Sequence, residues 1–390
     1  MKIEQRKWDR INGWIPEHPS ADSVEAAQLV LVFGAKALLR EQNIYQQLKD
    51  SYPQAHVLGC STAGEIFGAQ VFDDTISTTA IAFEHTQITD VQVELNQVGN
   101  SYQAGEYLGN ALPGSLPSSG GRGEDKLIHV LVLSEGLKVN GSELVRGLTA
   151  RLPEGTTVTG GLAGDGDRFE ETFVFADSVP LKETIAVVGL YGSRLKVGFS
   201  SLGGWDSFGP ERLITHANGN VLYELDGHSA LELYKKYLGE HARGLPATAL
   251  LFPLGIRSKT GHTGVVRTIL SVDDQEQSMT FAGDMPEGAY ARFMKANFDR
   301  LIDGAVGAAK TSYQAIGSVA PELAILISCV GRKLILKQRV EEEVEGVRDV
   351  FGAKTAITGF YSYGEIAPFI PGVKCELHNQ SMTITTLVEE

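Results

Sequence analysis

The chain has 390 residues, 43% of them hydrophobic and 21% charged, and Lys+Arg 34 against Asp+Glu 48 leaves a formal net charge of −14. That length exceeds one ordinary hydrophobic core and predicts two domains of a soluble globular protein. The acidic balance argues against nucleic acid or an anionic membrane as the main partner, since phosphate binding needs a positive surface. No apolar run approaches the roughly 18 residues of a spanning helix, so no membrane insertion is expected. Cys60, Cys329 and Cys375 share no CxxC spacing, which fits a reducing cytoplasm better than a disulfide framework. Residues 1–24 carry charge but no apolar core; they read as a polar lead-in, with Trp8 and Trp14 as anchors, and not as a signal peptide.

A first module opens with LVLVF at 29–33, the continuous apolar run of a strand buried on both faces. A helix follows over 37–49, stopped at Tyr52-Pro53, and a short strand over 56–58 leads into GCSTAGEI, 59–66. Strands are predicted at 75–83 and 91–95. The second module repeats this order: LIHVLVL at 127–133, a turn at 134–136, a helix over 142–151 with Ser142 as its cap, then 156–158 leading into TGGLAGD, 159–165. Strands at 184–191 and 195–200 complete it. The glycine-rich LGGWDSFGP, 202–210, marks a domain boundary. Beyond it a hairpin is predicted from 265–272 and 278–281. A helix is predicted from Pro286 to about residue 311, with Tyr290, Met294, Phe298, Leu301 and Ala305 as its apolar stripe. The third module has LAILI at 323–327, a turn at 328–332, a helix over 338–351, then 355–357 leading into GFYSYGEI, 359–366, and a last strand at 382–388.

The turn glycines Gly34 and Gly59, Gly136 and Gly160, and Gly331 and Gly359 stand 25, 24 and 28 residues apart. That is a βαβ length, for which a parallel crossover is the default. Both strands of such a unit end on one edge of the sheet, where ligands of α/β proteins bind. The reading is therefore α/β, with two domains built from repeated strand-helix-strand modules in mixed sheets. The ligand is expected at the edge carrying Gly59, Gly64 and Glu65 beside Gly359, Gly364 and Glu365, with Arg332 as the cation and Asp165 as a third acid.

The motifs GCSTAGEI and TGGLAGDG, then LFPLGI, RTILSVD, GDMPEG, SCVGRK, GFYSYGEIAPF and CELHNQSMTIT, make the chain resemble the FIST family. The resemblance covers about residues 25–385, with Ser381 where threonine is expected and no attached signalling domain. It implies a FIST N domain over 25–208 and a FIST C domain over 209–390, and ligand-triggered signalling in the cytoplasm. It further implies kinship with stand-alone haem proteins that sense nitric oxide and regulate a partner sensor histidine kinase in trans.

Haem needs an axial ligand in an apolar pocket. His378 in CELHNQSMT is the first candidate, since its connector also carries Ile366, Phe369 and Ile370; Tyr361, Tyr363 and Cys329 follow. His129, inside LIHVLVL, reads as a satisfied core histidine. An amino-acid ligand without haem is the alternative, its amine on a loop carboxylate and its carboxylate on backbone N–H groups or Arg332. Catalysis by Cys60 is a third possibility, but GxSxG is not matched and nothing fixes a base beside the thiol. The chain is expected not to be an enzyme, and no HxH or HxxxH spacing favours a metal other than haem iron.

Overall fold

The computed structural model describes residues 1–41, 43–118, 123–245, 247–258, 264–368 and 374–390. In each module the apolar run becomes the central strand and a helical connection returns the chain parallel to it; where one helix is expected over 37–49 there are two, Lys36–Glu41 and Ile44–Ser51. Leu29–Gly34 pairs parallel with His56–Ser61, Glu124–Ser134 with Thr157–Leu162, and Leu323–Cys329 with Ala356–Ser362. A β-branched strand then lies antiparallel on the other side of each central strand: Ile76–Ala82, Thr184–Tyr191 and Met382–Glu389. An outer antiparallel strand completes each set, namely Lys2–Asp9, Gln87–Glu94 and Leu195–Leu202. The sequence repeat is thus a structural one, three times over.

The segment after each glycine loop does not stay in its own sheet. Glu65–Phe67 of the first module pairs with Ala356–Ser362 of the third; Gly364–Pro368 of the third pairs with Thr157–Leu162 of the second. Val174–Ala176 of the second pairs with His56–Ser61 of the first, which closes the cycle. Two of the sheets therefore take strands from both sides of residue 208. The inner sheet faces share a core to which all three modules contribute, including Leu31, Phe33, Leu131, Leu133, Ile325 and Phe360. The sheets form a closed ring around it.

Residues 206–295 leave the ring between Leu195–Leu202 and the helix Phe298–Ala315 and form an antiparallel β-domain. Its separate core includes Leu222, Leu254, Met279, Phe281 and Phe293. The expected helix does not start at Pro286. Tyr290–Lys295 is a strand, with Ala291 and Phe293 buried alternately, and the helix begins only after Asn297 caps it by accepting from Arg300 N. The period is two up to Lys295 and helical beyond it. The hairpin is present, but the run 265–273 bends at Thr268. Ile269–Asp273 pairs with Ser278–Phe281, whereas Val265–Arg267 pairs with Leu254–Arg257.

Smaller differences have local causes. Residues 1–24, expected as a polar lead-in, contain the strands Lys2–Asp9 and Gly13–Ile15, with Arg6 buried under Trp14. Residues 328–332 do not turn: the chain passes from strand directly into the helix Val330–Leu336. Asn140, not Ser142, caps the second module's helix, because its side chain reaches both Ser142 N and Glu143 N. No helix of the described residues is long and apolar enough to cross a membrane.

Candidate functional site

The two matched glutamates occupy equivalent, fully enclosed places. Glu65 accepts from Thr62 Oγ1, and its Oε2 accepts from Thr75 N at 3.1 Å and Thr75 Oγ1 at 2.7 Å. Glu365 accepts from Ser362 Oγ at 2.7 Å, and from Ser381 N and Oγ at 3.2 and 2.8 Å. One hydroxyl three residues before each acid and the residue just before the β-branched strand, Thr75 or Ser381, make both nests. The glycine loops are paired to other modules and not opened to solvent: Ala63 N donates to Tyr361 O, Tyr361 N to Gly64 O, and Tyr363 N to Leu162 O. A Cβ on Gly64 would meet Lys333 Nζ, and one on Gly364 would meet Leu377.

Burial raises both carboxyls, against the pull of their hydrogen bonds, to about 7 for Glu65 and about 8 for Glu365. Each folded value lies above the ordinary 4.5, so between these limits the folded chain holds protons that the unfolded chain has released. The stability they support is complete below about pH 4.5 and falls as pH rises through 7 to 8. Unfolding midpoints should therefore decline across that window, and Glu365→Gln should flatten the decline. An unchanged slope in the variant would show that Glu365 is ionised in the folded chain.

The remaining expected site residues are committed elsewhere. Arg332, fully buried, donates through Nε at 3.0 Å and Nη2 at 2.7 Å to Glu343, and through Nη2 to Leu301 O at 2.6 Å. Tyr361 OH donates to the same Glu343 at 2.7 Å. Tyr363 OH donates to Asp165, which also accepts from Lys36 Nζ at 3.0 Å and from Phe169 N, Glu170 N and Glu171 N. Burial opposes ionisation of Asp165, yet the bonds from Tyr363 and Lys36 hold it below its ordinary value. Burial, with the charge of Glu65, pushes the Cys60 thiol well up, so the thiolate a nucleophile needs is disfavoured. His129 is the core histidine expected, its two nitrogens 2.7 Å from Thr157 Oγ1 and 3.0 Å from Thr159 Oγ1.

His378 ends the strand Cys375–His378 and stands opposite Glu365 in the pairing with Gly364–Pro368. Its Nε2 lies 2.8 Å from the Ala367 carbonyl oxygen, to which it donates. Burial brings the imidazole down to about 4, so it is neutral at physiological pH. Phe369 and Ile370, expected to wall a haem pocket, lie outside the described residues. Haem does not fit this set: the His378 Nε2 is held by a carbonyl, and both tyrosine hydroxyls are bonded to carboxylates.

What the motif does instead is meet the inserted domain. Gln380 donates through Nε2 to Thr268 Oγ1 at 3.0 Å and accepts at its carbonyl from Trp205 Nε1 at 2.8 Å. Arg267, 5% exposed, donates to Leu377 O at 2.8 Å and Asp284 O at 3.3 Å, while Asn140 Nδ2 reaches Asp284 Oδ1 at 3.0 Å. Asn379 beside them has neither its Oδ1 nor its Nδ2 paired. Arg267, Asn379 and Gln380 lie in RTILSVD and ELHNQSMT but are neither histidines nor carboxylates, the residue types that marked the expected site. A second cluster joins His56 Nδ1 to Asp90 and Asp177, each at 2.7 Å. Bonds to Asp177 and Asp90 raise this imidazole to about 9, so the three form an ion triad with the proton where a metal would sit.

Residues 28–228 match the family model described as FIST N domain, and residues 230–368 the one described as FIST C domain. An uncharacterized protein of Methanocaldococcus jannaschii is 21% identical over 376 residues, covering 86% of this chain and 68% of the relative. An uncharacterized protein of Mycobacterium tuberculosis is 24% identical over 238 residues, and the match spans 58% of this chain and 59% of that relative. Among solved structures, a cyanuric acid hydrolase from A. caulinodans aligns over 100% of this chain and 99% of its own, with a TM-score of 0.37 and 8% identity.

Proposed function

The chain belongs to the FIST family, whose domains are small-ligand sensors of signal transduction, and from that membership we propose that it binds a small polar ligand and signals through a separate protein. The carrying observation is the two-body architecture: a β-domain with its own core rests through buried polar contacts on a ring that is closed by strand exchange. Small-molecule sites concentrate where two such bodies meet, and a ligand there biases their relative position, which a partner can read. A sensor histidine kinase acting in trans is the partner class the family resemblance implies. Catalysis has no part in this reading, since Cys60 is enclosed and carries its proton.

Haem sensing of nitric oxide is the finer form that the resemblance suggested, and the side chains oppose it. Purified protein titrated with hemin is expected to develop no histidine-ligated Soret band. His378→Ala should cost about 1–3 kcal/mol of stability, the scale of a lost buried hydrogen bond, and leave the hemin spectrum unchanged. A sharp Soret band in the wild type that disappears in a folded His378→Ala variant would restore haem as the ligand. The sensor reading itself is tested by thermal shift against polar metabolite classes. A ligand at a hundred times its Kd should add about 2.7 kcal/mol.

A further inference from the structure

Among the described residues, seven buried side-chain polar atoms have no hydrogen-bond partner, and four of them belong to the turn 377–381 or to the helix start that packs against it. They are Asn379 Oδ1, Asn379 Nδ2, Gln380 Oε1 and Ser142 Oγ. Asn379 is 2% exposed and Gln380 fully buried. Ser142 follows Asn140 and Gly141, which contact Asp284 and Leu377 respectively. Natural proteins pair nearly all such atoms, because each one left unpaired costs about 1–3 kcal/mol. Their concentration calls for a partner that the described residues do not supply.

Arg267 sharpens the demand. Its guanidinium is buried, yet the bonds it makes go to the carbonyl oxygens of Leu377 and Asp284. Among the described residues no carboxylate stands within ion-pair distance of it, and burial draws it down to about 10 although the charges of Glu376 and Asp284 act to raise it. Buried cations are ordinarily matched by an anion. Ordered water would satisfy the amides but would bring no anion into contact with the guanidinium.

We infer that the seam between 264–284 and 377–381 binds a small hydroxy acid, its carboxylate on Arg267 and its hydroxyl on the neutral groups of Asn379, Gln380 or Ser142. The unpaired atoms are all uncharged, which suits a hydroxyl; an ammonium group would favour a carboxylate acceptor. This inference rests on the sensor reading and gives it a site. It also gives the signal a route. The turn that carries Asn379 and Gln380 ends at Ser381, whose N–H and hydroxyl both hold Glu365 in the ring.

The experiment measures thermal midpoints of the full chain with glycolate, lactate and malate, each against its carboxamide and its amino-acid counterpart. At least one hydroxy acid should raise the midpoint more than either counterpart. Arg267→Gln should weaken that binding roughly tenfold to a hundredfold, the value of a charged hydrogen bond. Asn379→Leu should raise the ligand-free midpoint and still weaken binding, so the inference remains testable even if the arginine variant fails to fold. It is overturned if the amide or amino acid binds as well as the hydroxy acid. A shift that survives both substitutions also overturns it, as does a more stable Asn379→Leu chain in which no acid shifts the wild type, which would mean internal water only. Stabilisation by a different class of metabolite would sink the hydroxy-acid site and leave the sensor reading standing.

Discussion

Arg332→Ala is expected to cost about 3–5 kcal/mol of folding stability, the penalty for leaving one member of a buried ion pair alone. Neither Arg332 nor Glu343 has exposed side-chain surface. Without the guanidinium, Glu343 would keep the hydroxyls of Ser328 and Tyr361 but no positive charge. The carbonyls of Gly203 and Leu301 would lose their donor as well. These two carbonyls flank the two chain crossings into the inserted domain, so the substitution should loosen the attachment of that domain. Urea unfolding of Arg332→Ala, Glu343→Ala and the double variant measures the effect, and the double should cost clearly less than the two singles added. A single-variant cost below about 1 kcal/mol would mean that Arg332 is solvated, as a ligand-binding loop cation would be.

The second large effect belongs to Gly359. A Cβ there would lie 1.8 Å from Leu326 O and 2.9 Å from Leu326 N, backbone atoms of the neighbouring parallel strand that cannot swing aside. Gly359→Ala should therefore force the central pair of the third sheet apart and cost about 4 kcal/mol or more, a size reserved for such backbone clashes and core failures. Gly59→Ala should cost less. Its nearest obstacle, at 2.3 Å, is the rim of the Phe175 ring, and Val32 O stands 2.8 Å away. Denaturation midpoints of the two variants should fall in that order. Equal midpoints would show that the ring of Phe175 is as immovable as the backbone.

The modules were legible because their signals are local. LVLVF, LIHVLVL and LAILI are buried central strands, and their spacing to the glycine loops implies the parallel return that the pairing shows. The exchange of segments between modules was not legible. Glu65 and Glu365 look alike in sequence because both fit the same nest, but nothing in GEI says which sheet the following residues join. The candidate edge was misjudged for openness for the same reason: loops that end strands in an isolated βαβ unit face solvent, and here each loop is covered by another module. Arg332 looked like an available cation because its partner Glu343 lies eleven residues on, in another helix. Arg267 and Asn379 gave no signal until the bend at Thr268 brought a distant hairpin against the motif.

The cyclic exchange of strands also sets a schedule for synthesis. The strand Thr157–Leu162 receives its outer neighbour only from Gly364–Pro368, roughly 200 residues later in the chain. At about 5–20 residues per second a ribosome needs on the order of 10–40 s to deliver it. During that interval the row of N–H and C=O groups on Thr157–Leu162 is an open edge, and bare edges recruit strands from other molecules. Contacts this far apart along the chain also make closure slow once all the parts exist. A nascent chain stalled before residue 364 should thus engage chaperones or aggregate, and the yield of native protein should rise when translation is fast relative to intermolecular encounter.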